Sequence, residues 1–219
     1  PNQIFAVSLT HSPLASDAIR RAVVAECETQ LLTPFGLRSL SPQDPAYRGR
    51  YAGGVAERRI DNLSKGELAE LRLRQIGFVF QAFNLIPVLT ARENVEFVMQ
   101  VQGVPAGERR QKAVDILEEV GLSGLEDRRP ADMSGGQQQR VAVARAIVSR
   151  PALVLADEPT ANLDSKTADG LMELFRELND HHNTTFVIAT HDKRVMSYAK
   201  RIVRMLDGRI VEDISQDAA

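Results

Sequence analysis

The sequence predicts an α/β fold, a mostly parallel sheet with helices on both faces, and three observations carry that expectation. Ser134-Gly135-Gly136, followed by Gln137-Gln138-Gln139-Arg140, opens a helical run over residues 141–149. The apolar run Leu153-Val154-Leu155-Ala156 reads as a buried strand that delivers Asp157-Glu158 at its carboxyl end. From Ser64 onward, helical periods alternate with further strands of this kind.

In chain order, Ile4-Phe5-Ala6-Val7-Ser8-Leu9 is an apolar run too short to distinguish strand from helix. Ser16 is placed to cap a helix with Ile19, Val23, Cys27 and Leu31 at every fourth position, and Thr33-Pro34-Phe35-Gly36 stops it. Residues 37–54 read as turn-rich coil. Ser64 with Glu67, and Thr90 with Glu93, are capping boxes. The first opens a helix through Leu73, and the second a helix bearing Val95, Val98 and Val101; residues 76–80 between them read as a strand. Pro105-Ala106-Gly107 interrupts the run, and residues 108–120 form a helix with the stripe Ala113, Ile116, Leu117 and Val120. Ser165 caps a helix carrying Leu171, Leu174, Phe175 and Leu178, and residues 184–189 form a buried strand. Residues 202–206 and 209–211 flank Asp207-Gly208 as a hairpin.

Two of these features carry chemistry. A glycine pair at a helix start, with a hydroxyl before it and an amide behind, aims free N–H groups and a positive dipole end at one point, which suits a phosphate. Carboxylates that end a buried strand lie at the ligand-binding edge of an α/β sheet, where one can hold a hydrated Mg²⁺ and the next can polarise a water. Composition narrows the field further. A net charge of -2 offers no electrostatic case for nucleic acid, and a single cysteine, Cys27, excludes an internal disulfide framework. No apolar stretch reaches the roughly 18 residues of a membrane span and no signal-peptide pattern opens the chain, so membrane association is expected to go through a partner.

Ser134-Gly135-Gly136-Gln137, Asp157-Glu158, Ala161-Asn162-Leu163-Asp164 and Thr190-His191-Asp192 occur in this order and spacing. The chain thereby resembles the ATPase subunit of an ABC transporter, within that superfamily the lipoprotein-release and macrolide-export branch, over about residues 55–214. The resemblance implies that Ser134, Gly135, Gly136 and Gln137 form the family signature and that Asp157 is the Walker B aspartate. Glu158 would then be the catalytic carboxylate, Asp164 the D-loop aspartate and His191 the switch histidine. Gln81, in Phe80-Gln81-Ala82-Phe83-Asn84-Leu85, would be the Q-loop glutamine that touches both metal and membrane partner. It further implies ATP and Mg²⁺ as cofactors, with Asp157 and Gln81 on the metal, and ATP hydrolysis coupled to export or lipoprotein release. Residues 84–133 or so would be a helical subdomain inserted into the sheet. The expected partners are a second protomer with an intact P-loop and a transmembrane permease docked against residues 81–85, at the cytoplasmic side of the inner membrane.

The family's P-loop reads Gly, four residues, Gly-Lys, then Ser or Thr. The lysines here are Lys65, Lys112, Lys166, Lys193 and Lys200, and none follows a glycine. Residues 2–53 carry a second resemblance: Leu32-Thr33-Pro34-Phe35-Gly36-Leu37-Arg38-Ser39-Leu40-Ser41-Pro42 with Asp44-Pro45-Ala46-Tyr47 is similar to the C-terminal region of glycogen-debranching enzymes. A glycosidase needs two carboxylates across the sugar, and Asp17, Glu26, Glu28 and Asp44 form no such pair, so an inactive remnant is expected. The expectation is therefore a chimera. A debranching-like helix and coil at 1–54 precedes a truncated P-loop-NTPase-like (ABC ATPase) sheet at 55–219 that is inactive alone and, unless Ile4 to Leu9 and the Ile19 helix substitute for the lost P-loop unit, exposes apolar surface and is of low stability. His11, His181 and His182 read as surface residues.

Overall fold

The computed structural model describes residues 3–7, 64–206 and 209–216. The expected Ile19 helix and the coil after it therefore lie outside the described residues, as does the Asp207-Gly208 turn. In chain order the elements are β1 (Gln3–Val7), α1 (Lys65–Gln75), β2 (Ile76–Val79), α2 (Ala91–Val101), α3 (Ala106–Glu119), α4 (Gly135–Ile147), β3 (Leu153–Asp157), α5 (Ser165–His182), β4 (Thr185–Thr190), α6 (Lys193–Ser197), β5 (Arg201–Leu206) and β6 (Arg209–Ser215).

Local chemistry sets most helix starts. Ser64 and Thr90 each accept the N–H of the glutamate three residues on, and that glutamate accepts the cap's own N–H, so both expected boxes form. At α5 the cap is one residue earlier than expected. Asp164 accepts the Thr167 N–H at 3.1 Å, whereas the Ser165 hydroxyl accepts Arg194 Nη1 at 2.7 Å. A carboxylate accepts from backbone N–H more strongly than a hydroxyl does, and the helix dipole favours its charge. Asn183, at φ 53, ends α5 in the left-handed region.

The sheet runs β2-β3-β4-β1-β5-β6 among the described residues. Only β2, β3 and β4 are mutually parallel; β1 is antiparallel to both β4 and β5, and β5 to β6. The expected mostly parallel sheet is thus a mixed one. A ladder can be completed by a strand of either direction, and β1 enters the central gap between β4 and β5 pointing against its neighbours. The apolar run from Ile4, which by itself suited strand or helix, supplies this strand over Gln3–Val7, and Ile4 pairs with Thr190 and Arg204.

Helices α4 and α5 supply the main core. Val141, Val143, Ala144 and Ile147 of α4 and Leu171, Leu174, Phe175 and Leu178 of α5 are buried in one cluster with Val154, Ala156, Phe186 and Ile188 of the sheet. Phe175 stacks on Phe186 with ring centroids 4.8 Å apart. Between β2 and α4 stand α2 and α3, a helical insertion whose Val95, Met99, Ile116 and Leu117 join the same core.

Gly77 marks the closest approach of α4 to β2. A Cβ there would lie 2.3 Å from the carbonyl oxygen of Ala146 and 3.1 Å from Val154 Cγ2. That oxygen is backbone, so Gly77→Ala has to push α4 off the sheet. The expected loss is about 2 kcal/mol, a Tm lower by roughly 4–8 °C in thermal denaturation. An unchanged Tm would show that α4 yields without cost.

Candidate functional site

Strand register assembles the site at one sheet edge. Asp157 pairs with Ala189, so the residues after each strand leave the sheet side by side. Asp157 is exposed at the end of β3, as a ligand-edge carboxylate should be. Glu158 follows in the left-handed region at φ 45 and donates its N–H to the Ala189 carbonyl at 2.9 Å. This turn brings its carboxylate to His191, with Oε1 2.6 Å from Nδ1.

The Glu158 hydrogen bond and charge, with a smaller contribution from Asp192, raise the pKa of His191 above its ordinary 6.5. The pair's stabilisation is therefore complete below 6.5 and disappears as pH rises through the raised value. The Tm difference between the parent and His191→Asn is expected to be largest at low pH and to close at high pH. It stays small because the His191 side chain is 74 % exposed. A difference that grows with pH would reverse the assignment.

Ser134 caps α4. Its hydroxyl accepts the Gln137 N–H at 3.3 Å, and Gln137 Oε1 accepts the Ser134 N–H at 2.9 Å. The hydroxyl and amide expected to frame free donors thus satisfy one another as a third capping box, which leaves the glycine pair between them as the open part of the turn. Both glycines are in close quarters. A Cβ on Gly135 would lie 3.8 Å from Phe83 Cζ and 3.9 Å from the Asn162 carbonyl, and one on Gly136 2.5 Å from Thr167 Cγ2. Thr167 in turn donates its hydroxyl to Asp164 at 2.5 Å, and these Thr167 bonds lower the Asp164 pKa.

The loop after β2 joins the same neighbourhood. Asn162 Nδ2 donates to the Gln81 carbonyl at 2.9 Å, while the Gln81 side chain is exposed. Phe83 and Asn84 both have positive φ, 60° and 49°, and Arg145 of α4 donates to both carbonyls, at 2.9 and 2.6 Å. Asn94, fully buried, accepts the Ile86 N–H at 2.7 Å and donates to the carbonyls of Ile86, Leu89 and Thr90.

The structure thus brings together Glu158 with His191, and Ser134 to Gln137 with Asp164 and the Gln81 loop. It shows no hydrogen bond between these two groups' named residues among the described ones. Asn94 and Arg145 were missed in the sequence, where an asparagine on an amphipathic helix and an arginine in an apolar run carry no mark of the loop they hold. His182, expected on the surface, is largely covered and bonds Glu119 at 2.8 Å, because the ends of α3 and α5 meet there.

Among the described residues no cluster of three or more His, Cys, Asp or Glu side chains is arranged for a metal. Asp157 and Gln81 are hard oxygen donors of the kind Mg²⁺ takes one or two of, the rest of its shell coming from phosphates and water. They suit the ion only as part of a nucleotide complex. No described helix is long and apolar enough to cross a membrane.

The described residues thus form an α/β domain with a hydrogen-bonded carboxylate and histidine at one sheet edge and a separate glycine-opened helix start. Comparison with known proteins agrees. The family profile described as ABC transporter matches residues 48–161, just over half of the chain, and one described as amylo-alpha-1,6-glucosidase matches residues 1–64. An uncharacterised ABC transporter ATP-binding protein of Thermotoga maritima is 50 % identical over 151 residues, 69 % of this chain and 64 % of the relative. A macrolide export ATP-binding/permease protein MacB of Rhodopirellula baltica is 46 % identical over 162 residues, 73 % of this chain and 24 % of the relative. The dimeric post-hydrolysis structure of the ATP-binding cassette MJ0796 of Methanocaldococcus jannaschii, bound to ADP and Pi, aligns with a TM-score of 0.65 at 39 % identity, over 75 % of this chain and 73 % of that one. The chain belongs to the ABC transporter ATP-binding family. It spans just under two thirds of the Thermotoga relative and about a quarter of the MacB protein.

Proposed function

We propose that this chain is an ABC-transporter ATP-binding subunit that owns no P-loop and acts by completing the nucleotide site of a partner protomer that has one. The observation that carries the proposal is the capped turn Ser134 to Gln137 at the start of α4, set beside Asp164 and the Gln81 loop. In this role the open N–H groups of Gly135 and Gly136 face the terminal phosphate of ATP held by the partner. Asp157 and Gln81 are the metal-facing residues, and Glu158 and His191 the pair that orients water and phosphate wherever a triphosphate is held. The sequence carries no Gly-x4-Gly-Lys-Ser/Thr pattern, so no reaction step in cis is assigned. The solved dimer of the cassette relative, bound to ADP and Pi, supports a two-protomer arrangement.

The same proposal places residues 81–85 against a transmembrane permease on the cytoplasmic side, in an export system akin to the MacB branch. Of the debranching-like segment, about 1–54, strand β1 takes the sheet position that the P-loop strand would occupy. It has no glycosidase role.

The test is association. A P-loop-intact family member carrying Gln in place of its catalytic glutamate, mixed with this chain and MgATP, is expected to form a mixed dimer on size-exclusion chromatography. Ser134→Arg in this chain should abolish the shift, since the bulk and length of arginine obstruct the phosphate face of the turn. No shift with MgATP, or one indifferent to Ser134→Arg, would leave the chain as a fusion without a partner.

A further inference from the structure

We propose that Gln139 is a positioning residue for Glu158, its side-chain amide tying the turn Asp157-Glu158-Pro159 to the second turn of α4. The proposal rests on the function above for what Glu158 does, although the tie itself is a matter of geometry. Gln139 is fully buried, and its Nε2 donates to the Pro159 carbonyl at 2.8 Å. Proline has no N–H, so only an acceptor is on offer and the amide's orientation is settled: nitrogen toward Pro159. Its Oε1 is then buried without a hydrogen-bond partner among the described residues. Such an oxygen destabilises the fold, and an apolar side chain of the same size would suit this core position better. Gln139 therefore contributes a directed bond at the expense of stability, a balance typical of functional positions.

What the bond secures is a strained turn. Glu158 sits at φ 45, a region non-glycine residues occupy only when their surroundings hold them there. Its N–H is fixed by Ala189 and its carbonyl accepts the Ala161 N–H at 3.1 Å. The Gln139 bond is the fastening that comes from α4, at the next residue. Gln139 lies one helical turn beyond Gly135, so the turn that meets the partner's phosphate and the turn that presents Glu158 to His191 are joined through one rigid piece of helix. Movement of the Ser134 turn on meeting an anion is passed to the Pro159 carbonyl by this amide.

The experiment uses the full chain and reads the Glu158 turn by NMR. In Gln139→Leu the Glu158 amide is expected to exchange with solvent roughly tenfold faster than in the parent, relative to the slowest core amides. The strong intraresidue N–H to Hα NOE that marks positive φ at Glu158 should weaken, while Tm stays at or above the parent value. Gln139→Met, which keeps an unbranched chain, should behave alike, and Val141→Ala on the same helix should lower Tm without changing the relative exchange of Glu158. Parent-like exchange and NOE at Glu158 in Gln139→Leu overturn the proposal. So does a uniform acceleration of all amides with a lowered Tm, or loss of folding in both variants, because each assigns Gln139 to the core alone. Failure of the mixed dimer to form, with the Glu158 effect intact, would instead refute the proposed function and leave the tie standing.

Discussion

Purified chain incubated with MgATP is expected to release phosphate no faster than buffer, and Glu158→Gln is expected to change nothing. No lysine in the sequence follows a glycine, so the P-loop pattern that would supply three contributions together, a lysine to neutralise the transferring phosphate, loop amides to cradle it and a hydroxyl to share the metal, is not written in it. Removing one preorganised donor from a reacting oxyanion costs about 3 kcal/mol, a factor of 10² or more in rate, and removing the whole clamp also removes the binding site. Glu158 and His191 are hydrogen-bonded at 2.6 Å, but a polarised water needs a held phosphate to attack. Continuous phosphate-release measurement on the two proteins side by side is sufficient. Magnesium-dependent turnover that vanishes in Glu158→Gln would show that another element of this chain holds the triphosphate.

Asn94→Ala should destabilise the fold by about 2 kcal/mol, since it removes a fully buried side chain whose hydrogen bonds tie several half-buried backbone groups together. The asparagine accepts from the Ile86 N–H and donates to three carbonyls of the segment that leads into α2, and it is fully buried. In alanine the Ile86 N–H and the Leu89 carbonyl lose their side-chain partner, whereas the Ile86 and Thr90 carbonyls keep the backbone N–H groups of Leu89 and Asn94. Urea denaturation reads the effect as a lower midpoint with an unchanged slope. Because the same segment continues back to Phe83 and Asn84, the loop around Gln81 is expected to lose protection from amide exchange in this variant well before the sheet does. A loss under 1 kcal/mol would mean that the loop keeps its shape through Arg145 and Asn162 alone.

Much of the fold was legible because it is written over short spans. A capping box needs residues three apart, an amphipathic helix a period near four, and a buried strand four apolar residues in a row. Ser64 with Glu67, Thr90 with Glu93, and Leu153 to Ala156 before Asp157 satisfy those rules within their own neighbourhoods, and each element appears where expected. The order of Ser134, Asp157, Asp164 and His191 was likewise readable, being a matter of spacing along the chain.

Illegible were the pairings that cross the fold. Asp164 rather than Ser165 caps α5 because Arg194 reaches Ser165 from a different element. His182 is covered because Glu119, 63 positions away, meets it. Arg145 holds carbonyls 61 and 62 positions distant, and Gln139 one that is 20 away. None of these partners can be chosen from local pattern, since the choice depends on which strands and helices become neighbours. The direction of β1 is of the same kind. Its apolar residues suit any buried strand, and a sheet ladder accepts either sense. By itself the sequence determined the elements, their caps and the order of the site residues, through interactions that close within a turn of helix or a few residues of strand. Only the tertiary structure decided that β1 runs against β4, that Glu158 faces His191, and which buried amides and arginines hold the loops in place, because those contacts exist only after distant segments share a core.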